Sequence, residues 1–139
     1  MQTLKVMAGL ARHASRDSTY RRTIRQFFAG VQPSRDQIDE WVRRRFAYQP
    51  ELFEIVRSPQ FILNEILSQA WFSGDCDDAA TFIASILILY DYPAKFVAIR
   101  YQHPTEFEHV FVVSDSYVLD PTVPEGTVYT ALEEMVESL

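Results

Sequence analysis

The sequence of 139 residues contains a single cysteine, which excludes an internal disulfide and suits a reducing compartment. It has no apolar run that approaches the roughly 18 residues needed by a membrane-spanning helix. Its first residues lack the long hydrophobic centre and small-residue cleavage site of a secretion signal. From these absences we expect a soluble, cytoplasmic protein that is not exported and has no membrane partner.

Internal repeats, low-complexity stretches and linker-like segments are also missing from the sequence. Hydrophobic residues make up 47% of the chain and aromatic residues 14%, which is enough to bury a core without disulfides. These properties favour one globular domain over residues 1–139. Its oligomeric state cannot be inferred from composition.

Charge is distributed unevenly along the chain. Residues 1–47 carry ten Lys and Arg against four Asp and Glu, net +6, whereas residues 48–139 carry three against fifteen, net −12, which together give the formal −6. A basic segment suggests nucleic-acid binding through phosphate contacts. The arginines, however, share their segments with apolar helical stripes, and no nucleic-acid-binding motif is present. We therefore disfavour a nucleic-acid partner and interpret residues 1–47 as a basic helical lead-in.

Helical periodicity dominates the chain before the cysteine. Apolar residues recur at helical spacing over residues 4–14, and a second helix is expected to start after Ser18 and to stop at Gly30, where glycine can form the cap. Two further helices are expected after capping signals at residues 34–37 and 58–59. The run AATFIASILILY is apolar almost all round and predicts a buried central helix, which begins at a capping pair formed by Asp75 and Asp78.

After the central helix the apolar pattern changes to a period of two residues. Residues 94–101, 106–113 and 117–120 are predicted strands, and their short connections imply antiparallel pairing. Thr130 and Glu133 form another capping pair, which predicts a short C-terminal helix. The expected class is therefore α+β: a helical N-terminal half whose central buried helix packs on a small antiparallel β-sheet.

Cys76 is the candidate nucleophile because it falls in the first turn of the predicted central helix, within the sequence GDCDD. A helix N-terminus lowers the pKa of a thiol and offers free backbone amides to an oxyanion. The backbone amide of Cys76 is the expected oxyanion donor. Gln69 and Trp71 lie upstream, and sequence does not determine their reach. The alternative is an inert core thiol that acts only as a small hydrophobe.

His109 is the candidate base among three histidines. His13 lies in the basic lead-in and His103 stands beside a proline in a turn, so surface roles suit both. His109 lies within a predicted strand on the apolar face shared with Phe107, Phe111 and Val113. An imidazole on such a face needs a partner. The alternative is a core histidine bonded to a backbone carbonyl.

Asp120 is the candidate carboxylate that would orient His109. Directly opposed residues of an antiparallel hairpin share a face and have a constant index sum, which is 229 for this pair. A two-residue loop at residues 114–115 or a four-residue loop at 113–116 gives this sum, whereas a regular three-residue loop puts the two side chains on opposite faces. The pair therefore requires an even loop or a bulge.

Asp77 and Asp78 oppose thiolate formation at Cys76. One carboxylate near the sulfur can be balanced by an imidazolium, but two at close range cannot. We therefore expect the side chains of both aspartates to point away from the sulfur, into solvent or into bonds with backbone and arginine groups.

Three segments together resemble the transglutaminase-like superfamily, a branch of the papain-like thiol enzymes: GDCDDAATFIASILILYDYPAKFVAIR, EFEHVFVV and YVLDPT. The upstream segment WVRRRFAYQPELFEIVRSPQFILNEI resembles the helical lead-in of small bacterial and phage members, so the likeness covers roughly residues 38–124. The resemblance implies a transglutaminase-like fold with a catalytic core over residues 48–139. It assigns Cys76 as nucleophile, His109 as general base and acid, and Asp120 as the orienting carboxylate. Tyr117 departs from the tryptophan that members often have there.

These observations predict a cysteine protease, amidase or acyl transferase that acts on a peptide or protein carboxamide through a thioester, with no cofactor and no metal. The main alternative is a catalytically silent transglutaminase-like interaction or structural module of phage origin. Metal binding through Asp75, Asp77 and the three candidate residues is disfavoured because no pair among them has the usual spacing of Cys and His ligands.

Overall fold

Five helices and six strands make up the part of the chain that the computed structural model describes, which is residues 2–50, 55–131 and 133–139. The helices are α1 (Gln2–Arg16), α2 (Ser18–Phe27), α3 (Arg35–Arg43), α4 (Pro59–Gln69) and α5 (Cys76–Leu89). The strands are β1 (Phe46–Tyr48), β2 (Phe72–Gly74), β3 (Lys95–Arg100), β4 (His109–Ser114), β5 (Tyr117–Leu119) and β6 (Glu133–Ser138). The predicted α+β class with a helical N-terminal half is confirmed.

The helices begin where local capping chemistry directs them to begin. Ser34 and Gln37 form the predicted capping box of α3, and Ser58 caps α4 with proline at the first helical position. The start of α2 differs by one residue from the prediction, because Asp17 caps the helix by accepting from the backbone N–H groups of Thr19 and Tyr20, and Ser18 is already helical.

Helix α5 is the central element of the main core. Almost all its residues from Asp78 to Leu89 are buried, which confirms the prediction made from its apolar run. Helix α1 lays a stripe of small and apolar side chains on it, and α3, α4 and the sheet cover its other sides. Helix α5 is thus held from several directions, and Cys76 is its first residue.

The larger sheet is antiparallel throughout, with strand order β5-β4-β3-β6. One face packs on α5 through alternate residues of β3 and β4, such as Phe96 and Val112. The opposite face carries a small separate cluster of Val97, Ile99 and Phe111. Residues 121–131, which we call the strap, bring Tyr129 and Ala131 against this outer cluster. The strap thereby follows directly from Asp120 across the outer face of the sheet.

The predicted C-terminal helix is wrong, because residues 133–138 form strand β6 and pair with β3 along its whole length. Met135 and Leu139 pack against the main core while Glu134, Val136 and Ser138 are exposed, a period of two. The capping signal at Thr130 and Glu133 is local. The unpaired edge of β3 offers backbone hydrogen bonds along a complete strand, and this tertiary pairing overrides the local signal.

The parallel pair of β1 and β2 was not predicted from the sequence. Each strand has only three residues, too few for an alternating pattern to stand out. Their pairing brings Tyr48 beside Gly74, just ahead of α5. Within the described ranges, no helix is both long and apolar enough to cross a lipid bilayer.

Candidate active site

Cys76 is the first residue of α5, as the sequence predicts. Asp75 caps the helix by accepting from the backbone N–H groups of Asp77 and Asp78, and the Asp78 side chain accepts from the backbone N–H of Asp75. This capping box fixes the backbone on both sides of the cysteine. The thiol is partly buried rather than enclosed.

Asp78 points away from the sulfur, as expected, and its carboxylate is fully buried. It accepts from the Arg57 backbone N–H at 3.0 Å and lies 3.4 Å from the Arg57 guanidinium, which also donates to the Ser73 carbonyl. Gly74 leaves the room that this carboxylate needs, because a Cβ there would lie 2.6 Å from Asp78 Oδ2. The start of α5 is therefore built around a buried carboxylate whose arginine partner is partly exposed.

Asp77 does not point away from the sulfur, and this expectation is wrong. The thiol of Cys76 donates to Asp77 Oδ1 across 3.8 Å. Burial, followed by the charge of Asp77, raises the pKa of Cys76 to about 12, although the backbone N–H of Val110 acts in the opposite direction. The helix N-terminus alone predicted a lowered pKa. The thiol is instead protonated at rest.

His109 and Asp120 are in contact: His109 Nε2 lies 2.5 Å from Asp120 Oδ2. The hairpin loop consists of two residues, Asp115 and Ser116, and the opposed pairs have an index sum of 231, as in Val112 with Leu119. The loop is even, as the pair requires, but lies one residue later than predicted. Asp120 is therefore diagonal to His109 on the same face rather than directly opposite.

The apolar surroundings of His109 are partly those predicted. Its ring lies 5.9 Å from the ring of Phe111, and Val113 packs against the same outer cluster. Phe107 differs from the prediction, because it precedes β4 and packs against the main core. Tyr129 from the strap lies on the remaining side, with its ring 5.9 Å from the imidazole and nearly parallel to it.

Asp120 is almost completely buried and well supplied with donors. Its Oδ1 accepts from the backbone N–H and the hydroxyl of Thr122, and its Oδ2 accepts from the Tyr129 hydroxyl as well as from His109. Burial by itself raises the pKa of Asp120, but the bond to His109 and those from Thr122 and Tyr129 hold it below its usual value. The carboxylate is thus ionised at neutral pH.

Arg43 of α3 secures the backbone on which Asp120 is carried. Its guanidinium donates to the carbonyls of Asp120 and Val123 and forms an ion pair with Asp39. Burial outweighs Arg43 and raises the pKa of Asp39. Helix α3 of the basic lead-in is therefore linked directly to the candidate site.

Cys76 and His109 line the same cleft, which has two adjoining hollows of about 400 and 230 Å³. Tyr48 and Glu108 also belong to both hollows. The smaller hollow is acidic, with Asp75 and Asp77 in its wall, whereas the strap supplies uncharged residues to the larger one. The cleft is open to solvent and has both a thiol and an imidazole in its lining.

Sequence reasoning missed Tyr129, Arg43 and the role of Thr122. Thr122 had a local signal, since an aspartate that accepts from the backbone two residues later is a common turn. Tyr129 and Arg43 had none, because their contacts depend on the path of the strap. Gln69, considered as an oxyanion donor, binds the Trp71 carbonyl at the surface, and neither residue lines the cleft.

Among the described residues, no group of three or more His, Cys, Asp and Glu side chains is arranged to hold a metal ion. His13 is exposed on α1, and the His103 imidazole accepts backbone N–H bonds within its own turn. Both stand outside the cleft lining.

Comparison with known proteins finds a similarity of fold. No family model matches the sequence, and no curated protein matches it. A crystal structure of a "putative protease" from Parabacteroides distasonis ATCC 8503 has a similar fold, with a TM-score of 0.59 and 14% sequence identity over 98% of this chain. This chain spans 29% of the length of that protein. At this identity the similarity concerns the fold alone.

Proposed function

We propose that this protein is a thiol-dependent hydrolase of amide or peptide bonds, in which Cys76 is the nucleophile, His109 the general base and acid, and Asp120 the orienting carboxylate. The observation that carries the proposal is the 2.5 Å bond between His109 Nε2 and Asp120 Oδ2, beside a cleft that the Cys76 thiol also lines. The constellation fits a transglutaminase-like enzyme, and acyl transfer to an amine would use the same intermediate.

The tautomer of His109 follows from its partner. An ionised Asp120 can only accept, so Nε2 carries the proton and the neutral imidazole has its lone pair on Nδ1. Nδ1 is therefore the atom that would take the thiol proton. This orientation is the function of the third member of a catalytic triad.

The reaction begins with a neutral thiol. As Sγ bonds to the substrate carbonyl carbon, its proton passes to Nδ1 and the carbonyl oxygen takes the displaced electron pair. The C–N bond then breaks and the leaving amine takes the proton from the imidazolium, which gives a thioester on Cys76. Water loses a proton to Nδ1 as it attacks the thioester, and the released sulfur recovers that proton. An amine in place of water would yield a new amide.

The fold similarity to a protein described as a "putative protease" supports this class without defining a substrate. A catalytically silent module is the second candidate, and a specific observation favours it. Burial and the charge of Asp77 hold the thiol protonated, as an inert core cysteine would be held. The two candidates differ in whether His109 can remove that proton.

Alkylation by iodoacetamide separates the two candidates, since Cys76 is the only cysteine. The folded enzyme should be labelled at neutral pH, with a pH profile that His109→Ala abolishes and His13→Ala, a substitution on the exposed side of α1, leaves unchanged. Mass spectrometry of the intact protein measures the extent of labelling. A thiol that reacts only after unfolding, or with the same profile in His109→Ala, would support the silent module and refute the proposed enzyme.

A further inference from the structure

The carboxylate of Asp120 has all its acceptor positions occupied. A carboxylate offers about four lone-pair sites, two on each oxygen. Thr122 fills those of Oδ1 with its backbone N–H and its hydroxyl, while His109 and Tyr129 share Oδ2. Two of these four donors, Tyr129 and the Thr122 hydroxyl, are side chains that a triad does not require.

The Tyr129 hydroxyl is a permanent donor in this arrangement. Burial and the neighbouring charge of Asp120 raise the pKa of Tyr129, so the hydroxyl keeps its proton throughout the working pH range. It bonds to the same oxygen as the imidazole and draws on the same negative charge. The two donors therefore compete, because charge that Oδ2 shares with Tyr129 no longer stabilises a proton on His109.

The ring of Tyr129 is fixed independently of its hydroxyl. It stacks on Phe111 with ring centres 4.3 Å apart and planes 11° from parallel, and it packs on the outer cluster. This stack is anchored to β4, the strand that also carries His109. A phenylalanine could keep the same stack, so the hydroxyl can be removed without removing the packing.

We propose that Tyr129 is a positioning residue that acts through Asp120: its hydroxyl limits the attraction of Oδ2 for the His109 imidazolium, so that the imidazole gives up a proton more readily. The proposal rests on the proposed function for its catalytic meaning. The underlying competition for Oδ2 can be measured without any turnover.

Other charged and titratable groups face this pair from every neighbouring element. Cys76, Asp77 and the helix cap Asp75 line a hollow together with His109, and Asp39 and Arg43 approach Asp120 from α3. The wall of the cleft adds Tyr48, Tyr101 and Glu108. A test must therefore leave these groups unchanged, which a tyrosine-to-phenylalanine substitution does.

The experiment is an NMR titration of the His109 imidazole in the folded full-length chain and in three variants. Tyr129→Phe should raise the titration midpoint by roughly half a pH unit to one unit, because one charge-assisted hydrogen bond is released to the imidazolium. Thr122→Val should raise it less, since its hydroxyl bonds the opposite oxygen. Tyr117→Phe, on exposed β5 and outside the cleft, should leave it unchanged.

The titration midpoint of His109 in Tyr129→Phe tests the proposal. A midpoint that stays constant or falls in Tyr129→Phe, with the fold intact by amide spectra, would overturn it. A rise in that variant while Cys76 remains unreactive toward iodoacetamide would keep the positioning role and refute the enzyme. In an active protein, the acidic limb of the alkylation profile should move to higher pH with the imidazole.

Discussion

The two sides of the cleft treat their acidic groups in opposite ways. On the sheet side, Asp120 is buried yet receives four hydrogen bonds, and its pKa lies below the usual value. On the helix side, Cys76 is partly buried next to an acceptor, Asp77, and its pKa is raised to about 12. Burial acts in the same direction on both groups, so the difference comes from the donors around Asp120 and the carboxylate charge beside Cys76.

Because of this difference, the Asp120–His109 pair is already in place while the thiol of Cys76 is still protonated. The charged member of the pair, Asp120, is fixed before any substrate arrives, and it fixes the tautomer of His109. In the proposed mechanism the thiol keeps its proton until the imidazole removes it. The proposed enzyme would therefore avoid a standing thiolate, which is the form that oxidants attack.

Replacing Asp120, the carboxylate on the sheet side of the cleft, should have the largest effect. Asp120→Asn would replace one acceptor oxygen by an amide N–H₂ group, which cannot accept the hydrogen bonds that the carboxylate now receives. The imidazole would then lose its orientation. We expect kcat/KM for hydrolysis of p-nitrophenyl acetate, a generic acylating ester, to fall by about 10³-fold to 10⁴-fold. Stopped-flow assays measure it, with a thermal melt to verify folding. A fall of less than tenfold would contradict the orienting role.

Adding a methyl group at Gly74, on the helix side of the cleft, should have an intermediate effect, and this effect is on stability. Gly74→Ala would place a Cβ 2.6 Å from Asp78 Oδ2 and disturb the buried carboxylate that anchors the start of α5. We expect the free energy of unfolding in urea to fall by about 2–3 kcal/mol. Gly9→Ala, in helix α1 with no atom within 4 Å, is the matched control. It should raise stability by about 0.5–1 kcal/mol. Equal effects at the two glycines would contradict this account.

Removing the negative charge of Asp77 from the helix side of the cleft should have the smallest effect. Asp77→Asn removes the negative charge nearest the sulfur, which lowers the pKa of Cys76 and increases the thiolate fraction below that pKa. Alkylation by iodoacetamide at pH 8 should accelerate roughly tenfold, which corresponds to one pKa unit. Asp91→Asn, about 20 Å away beyond the far end of α5, is the control and should not change the rate. An unchanged rate in Asp77→Asn would show that burial alone governs the thiol.

The predictable parts of the molecule are those set by short-range rules. The capping box at Asp75 and Asp78 depends on residues three apart, and the shared face of His109 and Asp120 depends only on an even hairpin loop. The rotamer of Asp77 follows no such rule. The contact of Tyr129 with Asp120 depends on the course of the strap, and β6 depends on an open edge of β3. Long-range packing determines all three.

The most direct test of the account is acylation of Cys76 by p-nitrophenyl acetate, followed by acid quench and mass spectrometry of the cysteine peptide. The account predicts one acetyl group on Cys76, removable by hydroxylamine as a thioester is, and formed much faster in the native protein than in His109→Ala or in the chain unfolded in urea. Acylation of the native protein no faster than that of either reference would contradict the claim that His109 activates this thiol.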